Sequence, residues 1–150
     1  MKSEFITCFE DIKKLTVDCD NNAKAYIYLS WLGLTESEIK SAAAEDYNAA
    51  MRILMCGDRS VYIKEDEIAL FLSGAEGNIV ADTEKARIEA EKLGLPHEFL
   101  YKMRFFYDKL ELKKTGQPED IVRFKEIMRN IGSDKSTLSE EFERYEKYCG

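Results

Sequence analysis

The residues of this chain with chemistry to offer are a lone histidine, His97, four cysteines and several clusters of carboxylates. A histidine acting as general base needs a nucleophile within reach and a group to orient it. His97 instead follows Pro96 in the first turn of a predicted helix, where an imidazole caps or packs. The cysteines, Cys8, Cys19, Cys56 and Cys149, form no Cys-x-x-Cys pair. They are expected to be free and mostly buried thiols, and with no clustered Cys or His ligands no metal is expected. Carboxylates pair up at Glu36/Glu38, Glu65/Asp66/Glu67 and Glu140/Glu141/Glu143, the residue types of acid–base or metal work. Each group falls in the first turn of a predicted helix, where the positive end of the macrodipole accounts for them. There is no Gly-x-Ser-x-Gly elbow, and Gly74-Ala75-Glu76-Gly77 precedes no Lys-Ser/Thr. Neither an activated serine nor a phosphate-cradling loop is implied, and no cofactor is expected.

What remains is binding. The chain has 150 residues, 45% hydrophobic and 34% charged, the balance of one globular domain spanning 1–150. The first residues are acidic where a leader would be apolar, and no apolar stretch reaches membrane-spanning length; the expectation is a cytoplasmic protein with no membrane partner. The formal net charge of −7 opposes indiscriminate attraction to nucleic acid. That charge is uneven: residues 1–96 hold 18 Asp/Glu against 11 Lys/Arg, whereas residues 97–150 hold 11 of each. Within 99–129 there are 8 basic and 5 acidic residues, and Lys102, Arg104 and Lys109 interleave with Phe99, Tyr101, Phe105, Phe106 and Tyr107. A core helix with a basic outer face suits a DNA backbone; it equally suits plain solvation.

The elements that must position these residues are mostly helical. Thr7, with Glu10 completing a capping box, predicts a helix to about residue 15. Asn21 or Asn22 opens a helix over 23–32, apolar around most of its circumference and therefore central, and Gly33 ends it. Thr35-Glu36-Ser37-Glu38 is a second capping box, starting a short helix towards residue 43. The period then changes: 51–55 and 60–63 are strand-like and Cys56-Gly57-Asp58-Arg59 supplies the turn, giving a small β-hairpin. Helix returns over 65–73, and the loop 75–82 has room for a third strand at Ile79-Val80. Thr83 caps a helix over 84–93, Pro96 begins a long one to about 114, and further helices are predicted over 119–131 and 136–148. The fold class is mainly α with a small antiparallel β-hairpin.

Ala25-Tyr26-Ile27-Tyr28-Leu29-Ser30-Trp31-Leu32-Gly33-Leu34-Thr35-Glu36-Ser37-Glu38-Ile39 resembles the opening of the catalytic domain of tyrosine recombinases, the phage integrases. In that family a buried helix ends in a Gly-Leu-Arg-x-x-Glu motif, followed by a short helix and a β-hairpin. The resemblance covers the whole chain as one catalytic-type domain. It also implies that the catalytic set is lost. Thr35 stands at the first arginine, and Arg59 falls near the hairpin lysine. His97-Glu98-Phe99-Leu100 keeps the histidine of the His-x-x-Arg box but puts Leu100 at its arginine. Ser133 replaces the later histidine, and Phe142 takes the place of the tyrosine nucleophile, with Tyr145 and Tyr148 beyond it. Two arginines normally stabilise the charge that grows on the scissile phosphate, so a chain without them has no route to cleavage and is expected not to be an enzyme.

The resemblance implies a phage- or prophage-type DNA-binding regulator, with Lys102, Arg104, Lys113, Lys114, Arg123, Lys125 and Arg129 on phosphates and Arg59 presented by the hairpin. The alternative is an acidic inhibitor or adaptor that binds a protein, such as a phage protein blocking the basic groove of a host nucleic-acid enzyme.

Overall fold

The helix Asn21–Trp31 (α2) is buried from Ala25 through Trp31 on all sides, as its all-round apolarity requires. The rest of the fold is arranged around it. A computed structural model describes residues 5–115 and 135–149, leaving aside the side chains of residues 112, 114, 115 and 135–139. In chain order come α1 (Phe9–Leu15), α2, α3 (Glu36–Ser41), a 3-10 turn (Ala44–Asp46), β1 (Tyr47–Asn48), β2 (Ile53–Cys56), β3 (Arg59–Tyr62), α4 (Asp66–Ser73), α5 (Thr83–Lys92), α6 (His97–Thr115) and α7 (Lys135–Cys149). The helix expected over 119–131 lies outside the described residues.

Both α5 and α6 pack on α2, and α7 packs on α6. One apolar core runs through all of them, from Ile12 and Trp31 to Leu54, Ile68, Phe106 and Tyr145. The architecture is mainly helical with one small three-stranded antiparallel sheet, ordered β1-β2-β3.

The hairpin closes on a two-residue loop, Gly57-Asp58, between the paired Cys56 and Arg59. Gly57 has φ +64°, which a first central residue of a II′-type turn needs and which an L side chain resists. Side chains alternate across the sheet: Leu54 and Val61 are buried, while Met55, Ser60 and Tyr62 face solvent.

Several local expectations are corrected. The third strand is Tyr47–Asn48, paired with β2, and not Ile79-Val80; Ile79 instead donates its N–H to Ala42 O beside an isolated bridge between Ala43 and Asn78. The capping box expected at Thr7 and Glu10 does not form. The helix starts one residue later, so that Asp11 Oδ2 receives the Thr7 N–H at 3.2 Å and Glu10 turns to Lys13. Asp20 caps α2 and Asp82 caps α5, each preceding the Asn or Thr expected there, because a carboxylate one residue upstream reaches the third amide of its helix. The cysteines are free among the described residues, but three are half-buried and Cys149 is exposed. Burial pushes the Cys56 thiol up to about 11.

Candidate functional site

The turn that ends α2 gathers residues from four elements. Gly33 adopts φ +88°, letting Leu34 N–H return to Leu29 O at 3.2 Å and Gly33 N–H to Ser30 O at 3.1 Å. Thr35 then caps α3. Its hydroxyl accepts from Glu38 N–H at 3.2 Å, and Glu38 Oε1 accepts from Thr35 N–H at 2.9 Å, the predicted capping box.

The same Glu38 carboxylate takes a second load. From β3, Arg59 donates Nε–H to Glu38 Oε2 at 3.1 Å and a further N–H to Glu38 Oε1, and it also donates to Gly33 O at 3.3 Å. From the start of α6, His97 Nε2 lies 2.7 Å from Leu34 O, so this nitrogen carries the proton and donates. Burial alone would push the Glu38 carboxyl up; the bonds from Arg59 and Thr35 outweigh it and hold it below the usual carboxylate range. Thr35, Arg59 and His97 are 24 and 38 residues apart in sequence and meet at one turn.

What this turn can do chemically follows from its charges. Its one guanidinium is answered by an internal carboxylate, and position 35 offers only a hydroxyl already bonded to an amide. The turn is a hydrogen-bonded junction whose arginine and carboxylate answer each other.

Beside it lies a cluster that the spacing of charges did not reveal. Arg104 is fully buried. It donates to Glu65 Oε1 at 2.8 Å and to Asp108 Oδ1 at 3.0 Å, and its guanidinium lies 5.1 Å from the Trp31 ring and 5.3 Å from the Tyr107 ring. The Trp31 indole N–H donates to the same Glu65 oxygen at 3.2 Å. The expected role of Arg104 on phosphate is therefore corrected: it faces the core, where two carboxylates and two aromatic faces replace its water. The available signal was an Arg–Asp pair at i,i+4 whose arginine interrupts the apolar run 103–107, a pattern that surface helices also show.

Three other cations on α6 reach α7. Lys102 pairs with Glu141 at 3.0 Å, Lys113 pairs with Glu146 at 2.8 Å, and Lys109 sits 4.3 Å from the Phe142 ring. Lys113 remains mostly exposed, so its pair is the kind that exchanges partners at little cost. The side chain of Lys114 lies outside what is described, as do Arg123, Lys125, Arg129 and Ser133. Of the remaining positions the resemblance singled out, Leu100 and Phe142 are core residues. Tyr145 is fully buried, and burial first of all raises its hydroxyl far above the phenol range; Tyr148 is exposed.

A cleft of about 690 Å³ opens between α3 and α5, with the Tyr26 hydroxyl donating to Glu36 at 3.2 Å on one wall and Lys40 and Arg87 on others. Arg87 is itself held by Glu84 and Glu91, which leaves the cleft mixed in charge. No three acidic, His or Cys side chains form a metal-holding group among the described residues, and among them no helix is long and apolar enough to cross a membrane.

No family model matches the chain, and no curated protein or solved structure matches it significantly.

Proposed function

We propose that this protein is a catalytically inert relative of the tyrosine recombinases that works by binding DNA. The observation that supports it is the convergence at the Gly33–Thr35 turn. The positions that resemblance assigns to a recombinase centre, Thr35, Arg59 and His97, come from three separate parts of the chain and meet at one junction. At that junction the residues are bonded to each other and to backbone, which leaves no group to attack or to stabilise a phosphorane. The DNA contacts then fall to exposed lysines such as Lys113 and to the basic stretch that includes Lys114, Arg123, Lys125 and Arg129.

A second reading has its own support. Arg59, Lys102, Arg104 and Lys113 all sit in internal ion pairs while the chain carries a net −7. An acidic protein that holds these four cations internally suits a basic protein surface better than a duplex.

Titration of a labelled duplex separates the two. The DNA reading expects complexes at low salt whose affinity falls steeply as salt rises, because each lysine on a phosphate releases a counterion. It also expects Lys113→Glu combined with Lys114→Glu and Arg123→Glu to abolish them. Absence of binding at low salt would overturn that reading in favour of a protein partner. Equal binding by the reversed protein would show the assigned surface to be wrong.

A further inference from the structure

The buried cluster around Arg104 leaves one donor and one acceptor unmatched. Glu65 stands at the N-cap position of α4, but its side chain makes no capping bond to that helix. It turns into the core, where Oε1 accepts from Arg104 Nη1 at 2.8 Å and from the Trp31 indole N–H at 3.2 Å. Both bonds load the same oxygen. The other, Oε2, is buried and has no hydrogen-bond partner among the described residues. Arg104 repeats the pattern. Its Nε donates to Asp108 at 3.0 Å and its Nη1 to Glu65, while Nη2 is buried and has no acceptor among the described residues.

A guanidinium and a carboxylate taken this far from solvent lose their hydration. Their attraction repays that loss only when the remaining hydrogens and lone pairs are bonded too. Nη2 and Oε2 belong to the two groups that meet at 2.8 Å, so covalent geometry holds them near each other. They do not bond directly. The pair therefore meets at one corner, not along the two parallel bonds that an arginine fork can make with a carboxylate.

The chemistry of that corner selects its occupant. Whatever completes it must accept a hydrogen bond from Nη2 and donate one to Oε2. An anion would answer only Nη2 and would face the charges of Glu65 and Asp108. A metal cation would answer only Oε2 and would face the guanidinium. Size narrows the choice further: Arg104 and Trp31 have no exposed surface, and the Glu65 side chain is only 13% exposed. A water molecule donates and accepts, is small enough, and is what buried polar groups of folded proteins take when side chains do not satisfy them.

We infer that the core holds one ordered water molecule at this corner, accepting from Arg104 Nη2 and donating to Glu65 Oε2, as a fixed part of the fold. With the Trp31 bond it makes a single hydrogen-bonded node of the end of α2, the start of α4 and the middle of α6. The slight exposure of Glu65 gives the water its route of exchange.

A crystal structure of the unmodified full-length protein, at a resolution that shows ordered water, tests the inference. A peak should lie within hydrogen-bond distance of both Nη2 and Oε2, at room temperature as well as in frozen crystals. Crystals soaked in rubidium bromide should show no anomalous signal there, which separates water from an ion of either sign. Neutron diffraction from deuterium-exchanged crystals should place one water deuterium towards Oε2 and an Nη2 deuterium towards the water oxygen. A direct Nη2–Oε2 bond with no intervening peak would overturn the inference. So would an anomalous peak at the corner, or no density between the two atoms. None of these outcomes depends on whether the protein binds DNA.

Discussion

Replacing Arg104 with methionine asks how much of the fold rests on one buried cation. The substitution keeps the length of the side chain and most of its apolar stem, so the cavity it leaves is small. What it removes is the counter-charge of Glu65 and Asp108, which are 13% and 1% exposed, together with the cation over Trp31 and Tyr107. Taking one partner from a buried ion pair costs about 3–5 kcal/mol, because the remaining charge is left in a poor solvent for it. For a chain of this length that corresponds to a fall in melting temperature of roughly 10 °C. The pH dependence gives a sharper signature. In the wild type burial would raise the Glu65 carboxyl, but Arg104 overrides it and holds the group below the usual range. A depressed carboxylate contributes stability that is present above its unfolded pKa and is lost as pH falls through the folded value. Without Arg104 burial prevails and the Glu65 carboxyl rises above its unfolded value, so the variant is penalised at neutral pH and relieved by protonation. The gap between the two proteins in urea unfolding should therefore be widest near pH 7 and should narrow as pH falls, first above the unfolded carboxyl value of about 4 as the variant protonates and then below it as the wild type does. A triple variant that also carries Glu65→Gln and Asp108→Asn should recover part of the loss at pH 7. An Arg104→Met protein within about 1 kcal/mol of wild type, with a gap that does not change with pH, would refute the account of a charge held by this cluster.

Three further outcomes follow from other parts of the molecule. Glu38→Gln keeps the capping geometry but weakens the bond to Arg59; it should cost about 1–2 kcal/mol in unfolding measurements and, on the DNA reading, tighten duplex binding by freeing a cation. Burial raises the hydroxyls of Tyr26, Tyr28, Tyr107 and Tyr145, so ultraviolet titration should find fewer than the eight tyrosines ionising near pH 10 in the folded protein. The stability these four contribute is complete below their unfolded pKa and lost as pH climbs past it; eight ionisations near pH 10 before any unfolding would contradict their burial. Gly57→Ala has open space around the new methyl but must hold φ +64°, so it should destabilise by about 1–2 kcal/mol by strain alone, and no loss would mean that the turn relaxes.

The parts of the fold that were legible beforehand are those written in local chemistry. The all-round apolarity of 23–32 marked a central helix, the Thr35–Glu38 spacing marked a capping box, and Gly57-Asp58 between strand formers marked a hairpin. Errors clustered where two neighbouring residues compete for one cap, as Asp20 and Asp82 did against Asn21 and Thr83. They also arose where a strand is too short to show a period: Tyr47–Asn48 has two residues and exists only because β2 lies beside it.

The candidate site divides in the same way. Sequence alone determined which residue types stand at positions 35, 59, 97, 100 and 142, because identity is a local property of the chain. Only the tertiary structure decided what the remaining charges do. The charge of Arg104 is the same on a solvated face or in the core; Glu65, 39 residues earlier, and Trp31 make the core tenable for it. Arg59 is a free hairpin cation in one dimension and a neutralised one in three, because Glu38 reaches it across the α2–α3 turn. A charge acts through its neighbours and its solvent, and neither is a property of its place in the chain.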